Sequence, residues 1–188
     1  MTEANASLPA VAQRIELDDG IVVRTYTADD MPALVDVVNR NLEHLRPWMP
    51  WAQEPATVEA QTAWWRGTLE PGEDGLRDLP YGIFDPDGHV IGGTGFHLRS
   101  GPGVVEIGYW LAVHETGRGL MTRVVSALID AVRQAGGVRR VEIKCDAANE
   151  RSAAVPRRLG FHVVREEERE PLAASETGRL VVWSLDLD

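Results

Sequence analysis

Residue types and spacing point to chemistry most clearly in the stretch Glu106-Ile-Gly-Tyr-Trp-Leu-Ala-Val-His-Glu-Thr-Gly-Arg-Gly-Leu-Met-Thr122. Its first half reads as a strand, which runs into a turn carrying Gly117 and Gly119 that opens a helix. A helix start leaves its first N–H groups without intrahelical acceptors, at the positive end of the helix dipole. Such a corner receives a phosphate or pyrophosphate. The glycines let an anion approach the main chain with no Cβ in the way, and Arg118 and Arg123 add positive charge. A Gly-x-Gly turn also serves merely to cap a helix, so the motif alone admits both readings. Two other phosphate motifs fail. A P-loop needs Lys and then Ser or Thr after its second glycine, where Leu120 and Met121 stand, and the dinucleotide fingerprint needs a third glycine where Thr122 stands.

The remaining chemistry-bearing residues are fewer. The five histidines show no metal-ligand spacing. Cys145 alternates with apolar positions and reads as packing. Trp48, Met49 and Trp51 form a cluster that reads equally as the wall of a binding cleft or as core between helices, while Trp64 and Trp65 read mainly as core.

The elements that must position these residues follow from periodicity and turn chemistry. Ile21–Tyr26 reads as a strand, and Thr27 with Asp30 as a capping box opening a helix to about Asn41. Pro47 and Pro50 forbid regular helix between Arg46 and Trp51, and a second helix is expected over Thr57–Leu69. Pro71–Pro80 reads as a loop. Tyr81–Phe84 and His89–Leu98 are strands joined by Asp85-Pro86-Asp87-Gly88, and Val104–Val113 is another. Gly117–Ala135 is an amphipathic helix stopped by Gly136 and Gly137. A strand around Val141, Ile143 and Cys145, a short helix over Asn149–Leu159, and strands over Phe161–Arg165 and Leu180–Leu187 complete the chain. The order β-α-α-β-β-β-α-β-α-β-β predicts an α+β fold: a mostly antiparallel central sheet flanked by helices.

At 188 residues, with 44% hydrophobic and 26% charged residues, the composition is that of one globular domain. Residues 1–12 read as a flexible N-terminal arm without a secretion signal, and 13–188 as the domain. No apolar run is long enough to cross a membrane. A formal net charge of −10 argues against a nucleic-acid partner. One cysteine excludes an intrachain disulfide, and a cytoplasmic location is the default. The oligomeric state is open, and a homodimer is compatible with the sequence.

Four motifs in order carry a family resemblance: Glu106-Ile-Gly-Tyr-Trp-Leu, Thr116-Gly-Arg-Gly-Leu-Met-Thr122, Asn149-Glu-Arg-Ser152 and Arg158-Leu-Gly-Phe161. They resemble the GCN-five-related N-acetyltransferases (GNAT). His44-Leu-Arg-Pro-Trp-Met-Pro-Trp51 and the opening of the chain look most like the RimJ/RimL branch, which acetylates N-terminal amines of ribosomal proteins or small amines. The resemblance covers roughly Ile21 to Leu187. It implies acetyl-CoA as cosubstrate, with no metal and an amine acceptor. The backbone of Leu111, Ala112 and Val113 would bond the pantetheine arm like an added strand. Gly117, Arg118, Gly119, Leu120, Met121 and Thr122 would hold the pyrophosphate. Asn149 would contact the pantetheine or the acetyl end. One departure is His114, where the family has Gln or Arg; the turn works through backbone N–H groups, so binding is expected to survive it.

Acyl transfer from a thioester needs a neutral amine, a donor for the developing oxyanion and a proton for the leaving thiolate. A lysine amine, with a pKa of about 10.4, is neutral in far fewer than ~1% of molecules at pH 7, whereas an N-terminal amine at about 7.7–8.0 is roughly one-tenth neutral. Glu106, five residues before the pantetheine strand segment, resembles the family's catalytic base and reads alternatively as a glutamate on a solvated strand face. Ser152 matches the branch's proton donor and reads alternatively as an ordinary first-turn residue, with Tyr109 a rival for the role. Pro156 cannot donate to the carbonyl of Ser152 and is expected to bend the helix there. Trp48, Met49 and Trp51 are the candidate acceptor-binding residues. The charged run Arg165–Glu170 reads as a solvated strand end whose carboxylates could attract a cationic acceptor.

Overall fold

A computed structural model describes residues 11–70 and 78–187. Most of the expected N-terminal arm, and residues 71–77 of the expected loop, lie outside these. The described elements are strands β1 (Arg14–Glu16), β2 (Val22–Thr25), β3 (Leu79–Phe84), β4 (Val90–His97), β5 (Val104–Leu111), β6 (Arg140–Asp146), β7 (His162–Glu168) and β8 (Arg179–Asp186). The helices are α1 (Met31–Arg40), α2 (Leu42–Leu45), α3 (Val58–Leu69), α4 (Leu120–Ala135) and α5 (Glu150–Arg158).

Local chemistry explains most of these boundaries. The Asp30 carboxylate accepts the Thr27 N–H at 2.7 Å, closing the expected capping box, and also holds Arg24 in two bonds of 2.7 and 2.8 Å. Thr57 caps α3 by accepting the Ala60 N–H at 3.2 Å. Gly119 and Gly136 flank α4 with φ of +74° and +73°, a backbone region glycine enters without steric cost. Two short elements escaped sequence reasoning. Strand β1 exists only through pairing Ile15 against Val23, and α2 is a single turn following the break at Asn41.

The eight strands form one sheet in the order β1-β2-β3-β4-β5-β6-β8-β7, and every neighbouring pair is antiparallel except β5–β6. Helix α4 makes the crossover between those two parallel strands. It buries seven apolar side chains, Leu120 to Val132, in the cluster that holds Val105, Ile107, Val141 and Ile143. At about 1.5–3 kcal/mol per fully buried side chain, that face anchors the helix start rigidly. On the other face a second cluster joins α1 (Met31, Leu34, Val37, Val38) to Tyr26, Phe84 and Val90. Alternation along β5 therefore sends Val105 and Ile107 towards α4, and Glu106, Gly108 and Trp110 to the opposite face.

Candidate active site

The parallel pair β5–β6 is short. Its register runs only from Val104↔Arg140 to Glu106↔Glu142, although both strands continue well beyond. Past Glu106 the two strands part and leave a gap in the middle of the sheet. A cleft of about 740 Å³ occupies this region and is lined from both faces of the sheet. Glu106, Gly108, Trp110 and Lys144 come from one face, and Ile107, Tyr109, Cys145 and Ser152 from the other. The 2.9 Å bond from Ala112 N–H to Ile91 C=O fixes the alternation along β5, so the N–H and C=O groups of Tyr109 and Leu111 face the gap.

Of the three backbone residues expected to meet the pantetheine, Leu111 alone turns both of its main-chain groups that way. Ala112 N–H is committed to Ile91, and Val113 N–H donates to Asn41 Oδ1 at 2.8 Å. His44 bonds the Leu111 backbone. Its pKa is lowered by burial first and then by the nearby Arg151 charge, so the ring sits there neutral more readily than a free imidazole. Asn41, buried and also donating to Val37 C=O at 2.8 Å, and His44 together clamp the end of β5 to the bend between α1 and α2. Neither was given a role from sequence, although His44 opens the motif His44-Leu-Arg-Pro-Trp-Met-Pro-Trp51. An asparagine at a helix break, where carbonyls lack partners, was the available signal.

Beyond the gap lies the glycine turn. Gly117 and Gly119 adopt φ of +80° and +74°, and a Cβ at either would meet nothing within 4 Å. The first N–H at the start of α4 to find a backbone acceptor is that of Arg123, bonded to Gly119 C=O at 3.2 Å. Among the described residues no acceptor meets the N–H groups of Gly117 to Thr122. Leu120 and Met121 bury their side chains in the core, so they can offer the corner main-chain groups only. The two arginines are less free than their positions imply. Arg118 lies 3.3 Å from Glu115, and Arg123 is 2.7 Å from Asp19. Both pairs are exposed, and exposed pairs contribute at most about 1 kcal/mol, so either side chain can swing to an incoming anion.

At the closed end of the gap Glu106 forms an ion pair with Lys144 at 2.8 Å, and both side chains are largely buried. Lys144 also donates to Ser100 Oγ at 3.2 Å. On the far face Ser152 follows Asn149, whose side chain caps α5 by accepting the Ser152 N–H at 3.1 Å. Pro156 sits inside α5, as its position implied, yet the helix runs unbroken from Glu150 to Arg158. The expected disturbance is absorbed by Tyr109, whose phenol donates to the carbonyl of Ser152 at 3.0 Å in place of the missing proline N–H. The Ser152 hydroxyl in turn donates to the Tyr109 oxygen at 3.2 Å. Burial pushes the Tyr109 pKa far above its ordinary value, so the phenol remains a donor at any working pH. Burial likewise raises the Cys145 thiol, in keeping with a packing residue.

The acceptor-side residues Trp48, Met49 and Trp51 all line the cleft. Trp51 is half exposed and packs edge-on against Trp110 with ring centroids 5.9 Å apart. Trp64, read from sequence as core, is 45% exposed and also lines the cleft, its edge against Tyr26. Trp65 is half-buried and donates to the Tyr26 carbonyl at 3.1 Å. The charged run Arg165–Glu170 lies mostly within β7 and is exposed as expected through Glu168, but Arg169 turns into the cleft on Glu176 at 2.7 Å. Asp146 pins the loop after β7 by accepting from Thr177 and Gly178, and the loop reaches across to the segment after α2 through Ser175 N–H on Pro47 C=O at 3.0 Å.

Comparison with known proteins agrees with this geometry. The family model for the acetyltransferase (GNAT) domain matches residues 21–162. YdaF of Bacillus subtilis is 28% identical over 151 residues, 78% of this chain and 80% of that protein. The ribosomal-protein-serine acetyltransferase of Escherichia coli is 27% identical over 152 residues, 80% of this chain and 84% of that protein. Among solved structures, the ribosomal-protein alpha-N-acetyltransferase RimL in complex with coenzyme A aligns with a TM-score of 0.83 at 24% identity, covering 93% of this chain and 98% of that one.

Proposed function

The chain belongs to the acetyltransferase (GNAT) domain family and moves the acetyl group of acetyl-CoA to a primary amine, and from that premise we propose that its acceptor is the N-terminal amine of a protein. The observation that carries the reading is the gap between β5 and β6, open to both faces of the sheet and ending at a helix start whose amides meet no acceptor among the described residues. An extended pantetheine arm fits a slot edged by the main-chain groups of Tyr109 and the N–H of Leu111, whose carbonyl is held by His44. The amides of Gly117 to Thr122 fit a diphosphate. A peptide N-terminus fits the cleft walled by Trp48, Met49 and Trp51, and the similarity to a ribosomal-protein-serine acetyltransferase supports that class of acceptor.

In this reading the main chain around 109–122 aligns the thioester carbonyl in the gap. Glu106, held in place by Lys144, presents a carboxylate to the acceptor ammonium at the closed end. The neutral amine attacks the carbonyl carbon, a C–N bond forms and the C–S bond breaks. Ser152, on the opposite wall and backed by Tyr109, supplies a proton to the leaving thiolate. Asn149 fixes Ser152 by capping its helix.

The test is release of CoA thiol when acetyl-CoA meets a peptide beginning with Ser, with mass spectrometry locating the acetyl group on the α-amine. Binding of acetyl-CoA without thiol release from any N-terminal peptide would mark the chain as a non-catalytic binder. Gly117→Trp fills the corner and should weaken acetyl-CoA about a hundredfold in calorimetry, the loss of roughly two charge-assisted hydrogen bonds. Undiminished affinity in a folded variant removes the pyrophosphate from this turn.

A further inference from the structure

We propose that His97 takes the proton from the acceptor amine, with Asp78 as its positioning residue; this rests on the transfer reading above and supplies the base it lacks.

His97 is the last residue of β4 and the cross-strand partner of Glu106, so both side chains rise from the same face of the sheet at the closed end of the gap. Its Nδ1 lies 2.7 Å from Asp78 Oδ2. An ionised carboxylate can only accept, so the Nδ1–H tautomer is the one that satisfies this contact, and it leaves the Nε2 lone pair free. Burial acts to raise the Asp78 pKa, but the hydrogen bond from His97 and the charges of His97 and Arg99 outweigh it and hold the carboxyl below its ordinary range. Arg99 Nη2 approaches both Asp78, at 3.3 Å, and Nδ1, at 2.7 Å. Two donors cannot stay 2.7 Å apart, so in the Nδ1–H form the guanidinium moves off the ring and onto the Asp78 carboxylate, the acceptor that both share. The charged groups around the ring are thus Asp78, Arg99, and Glu106 with its partner Lys144.

Nε2 lies against Gly108, a cleft-lining residue of β5. A Cβ built on Gly108 would stand 3.0 Å from Nε2 and 3.5 Å from Cδ2, so the ring occupies space that exists because β5 carries a glycine there. His97 and Gly108 both line the cleft, and the His97 side chain is 28% exposed, accessible to an incoming amine. Glu106 is the alternative base, but it already faces an ammonium, that of Lys144. An imidazole free on the cleft side and oriented from behind by a carboxylate is the arrangement general-base catalysis requires.

The proton count closes. His97 Nε2 removes one proton from the acceptor ammonium, and the neutral amine attacks the thioester. Sulfur departs as a thiolate with the C–S electron pair. The second proton leaves nitrogen for solvent as the amide forms, Ser152 protonates the thiolate and is itself re-protonated from solvent, and the imidazolium returns its proton to solvent, a net release of one proton per acetyl transferred.

With the Ser-initiated peptide as probe, His97→Gln should lower kcat about a hundredfold or more near pH 7. The deficit should shrink as pH rises and the amine becomes neutral unaided, while acetyl-CoA affinity by calorimetry stays within twofold. Asp78→Asn should give an intermediate loss with the pH profile displaced. Nitrogen-15 spectra of the imidazole should show the Nδ1–H tautomer in the wild type and lose it in Asp78→Asn. An Nε2–H tautomer in the wild type, or a His97→Gln enzyme with the wild-type pH profile, overturns the proposal while leaving acetyl transfer intact. A wild type that binds acetyl-CoA but releases no CoA fails differently, and takes the transfer reading and the base down together.

Discussion

The assignment of Ser152 depends on an exchange of hydrogen bonds. Pro156 removes one helical donor, and the phenol of Tyr109, 43 residues away in sequence, replaces it on the Ser152 carbonyl at 3.0 Å. The same phenol accepts the Ser152 hydroxyl, so the tyrosine read from sequence as a rival of Ser152 is bonded to both its carbonyl and its hydroxyl. Tyr109→Phe strands a carbonyl in partly buried surroundings and should cost about 1–3 kcal/mol in denaturant unfolding. Pro156→Ala restores the missing N–H and makes the phenol dispensable. The double variant should therefore recover a good part of that loss, a coupling that two unrelated sites would not show. Strict additivity in the cycle would mean that Tyr109 merely packs. Sequence reasoning identified the proline's defect from local rules, but its remedy lies on another element and is a property of the assembled fold.

At the scale of elements, the loop from β7 to β8 is the part that had least definition in the sequence, where it appeared only as a charged run. Its shape is set by Asp146 at the end of β6, buried and accepting from Ala148, Thr177 and Gly178 through four bonds of 2.9 to 3.1 Å. Burial opposes ionisation of Asp146, yet these donors outweigh it and its pKa lies below the ordinary carboxylate value. A depressed folded-state pKa contributes stability that is fully present above the unfolded value of about 3.9 and is lost as pH falls through the folded one. Asp146→Asn places an NH2 where N–H donors point, and should cost about 2–4 kcal/mol at pH 7. Because this loop carries Arg169 and Glu176 into the cleft, the variant should also raise the acceptor KM, and its stability should vary less with pH in the acid range. Wild-type steepness of the acid unfolding curve in Asp146→Asn would show that the carboxylate is not the pin. The contrast with α4 is instructive. Its apolar period and its glycine stops are written within twenty-odd consecutive residues, and the helix forms under those signals, beginning at Leu120 after the two glycines of the turn and ending at Ala135 as expected. The clamp of Asn41 on Val113 spans 72 residues, and its local trace is no more than an asparagine at a helix break. Trp64 was misjudged for a related reason: an aromatic on a helix is core or cleft wall according to what the next layer covers, and here the sheet is left uncovered beside it.

The whole molecule is organised by the gap in its sheet, which separates two approaches. The glycine turn and the start of α4 lie at one end, with Ser152 and Tyr109 on the α4 face, whereas Trp51, Trp110, Glu106 and His97 stand on the opposite face. Such a slot lets donor and acceptor meet head-on while sharing few protein contacts, so their affinities should be separable by mutation. Trp51 is the sharpest test because it is half exposed and rests on Trp110, outside the buried core. Trp51→Ala should raise the KM for an N-terminal peptide about tenfold or more, the usual cost of deleting an aromatic anchor. It should leave acetyl-CoA affinity and the thermal midpoint almost unmoved. Equal weakening of both ligands would mean that acceptor and donor lie on one side of the sheet, and the opening between β5 and β6 would then have to be explained as packing.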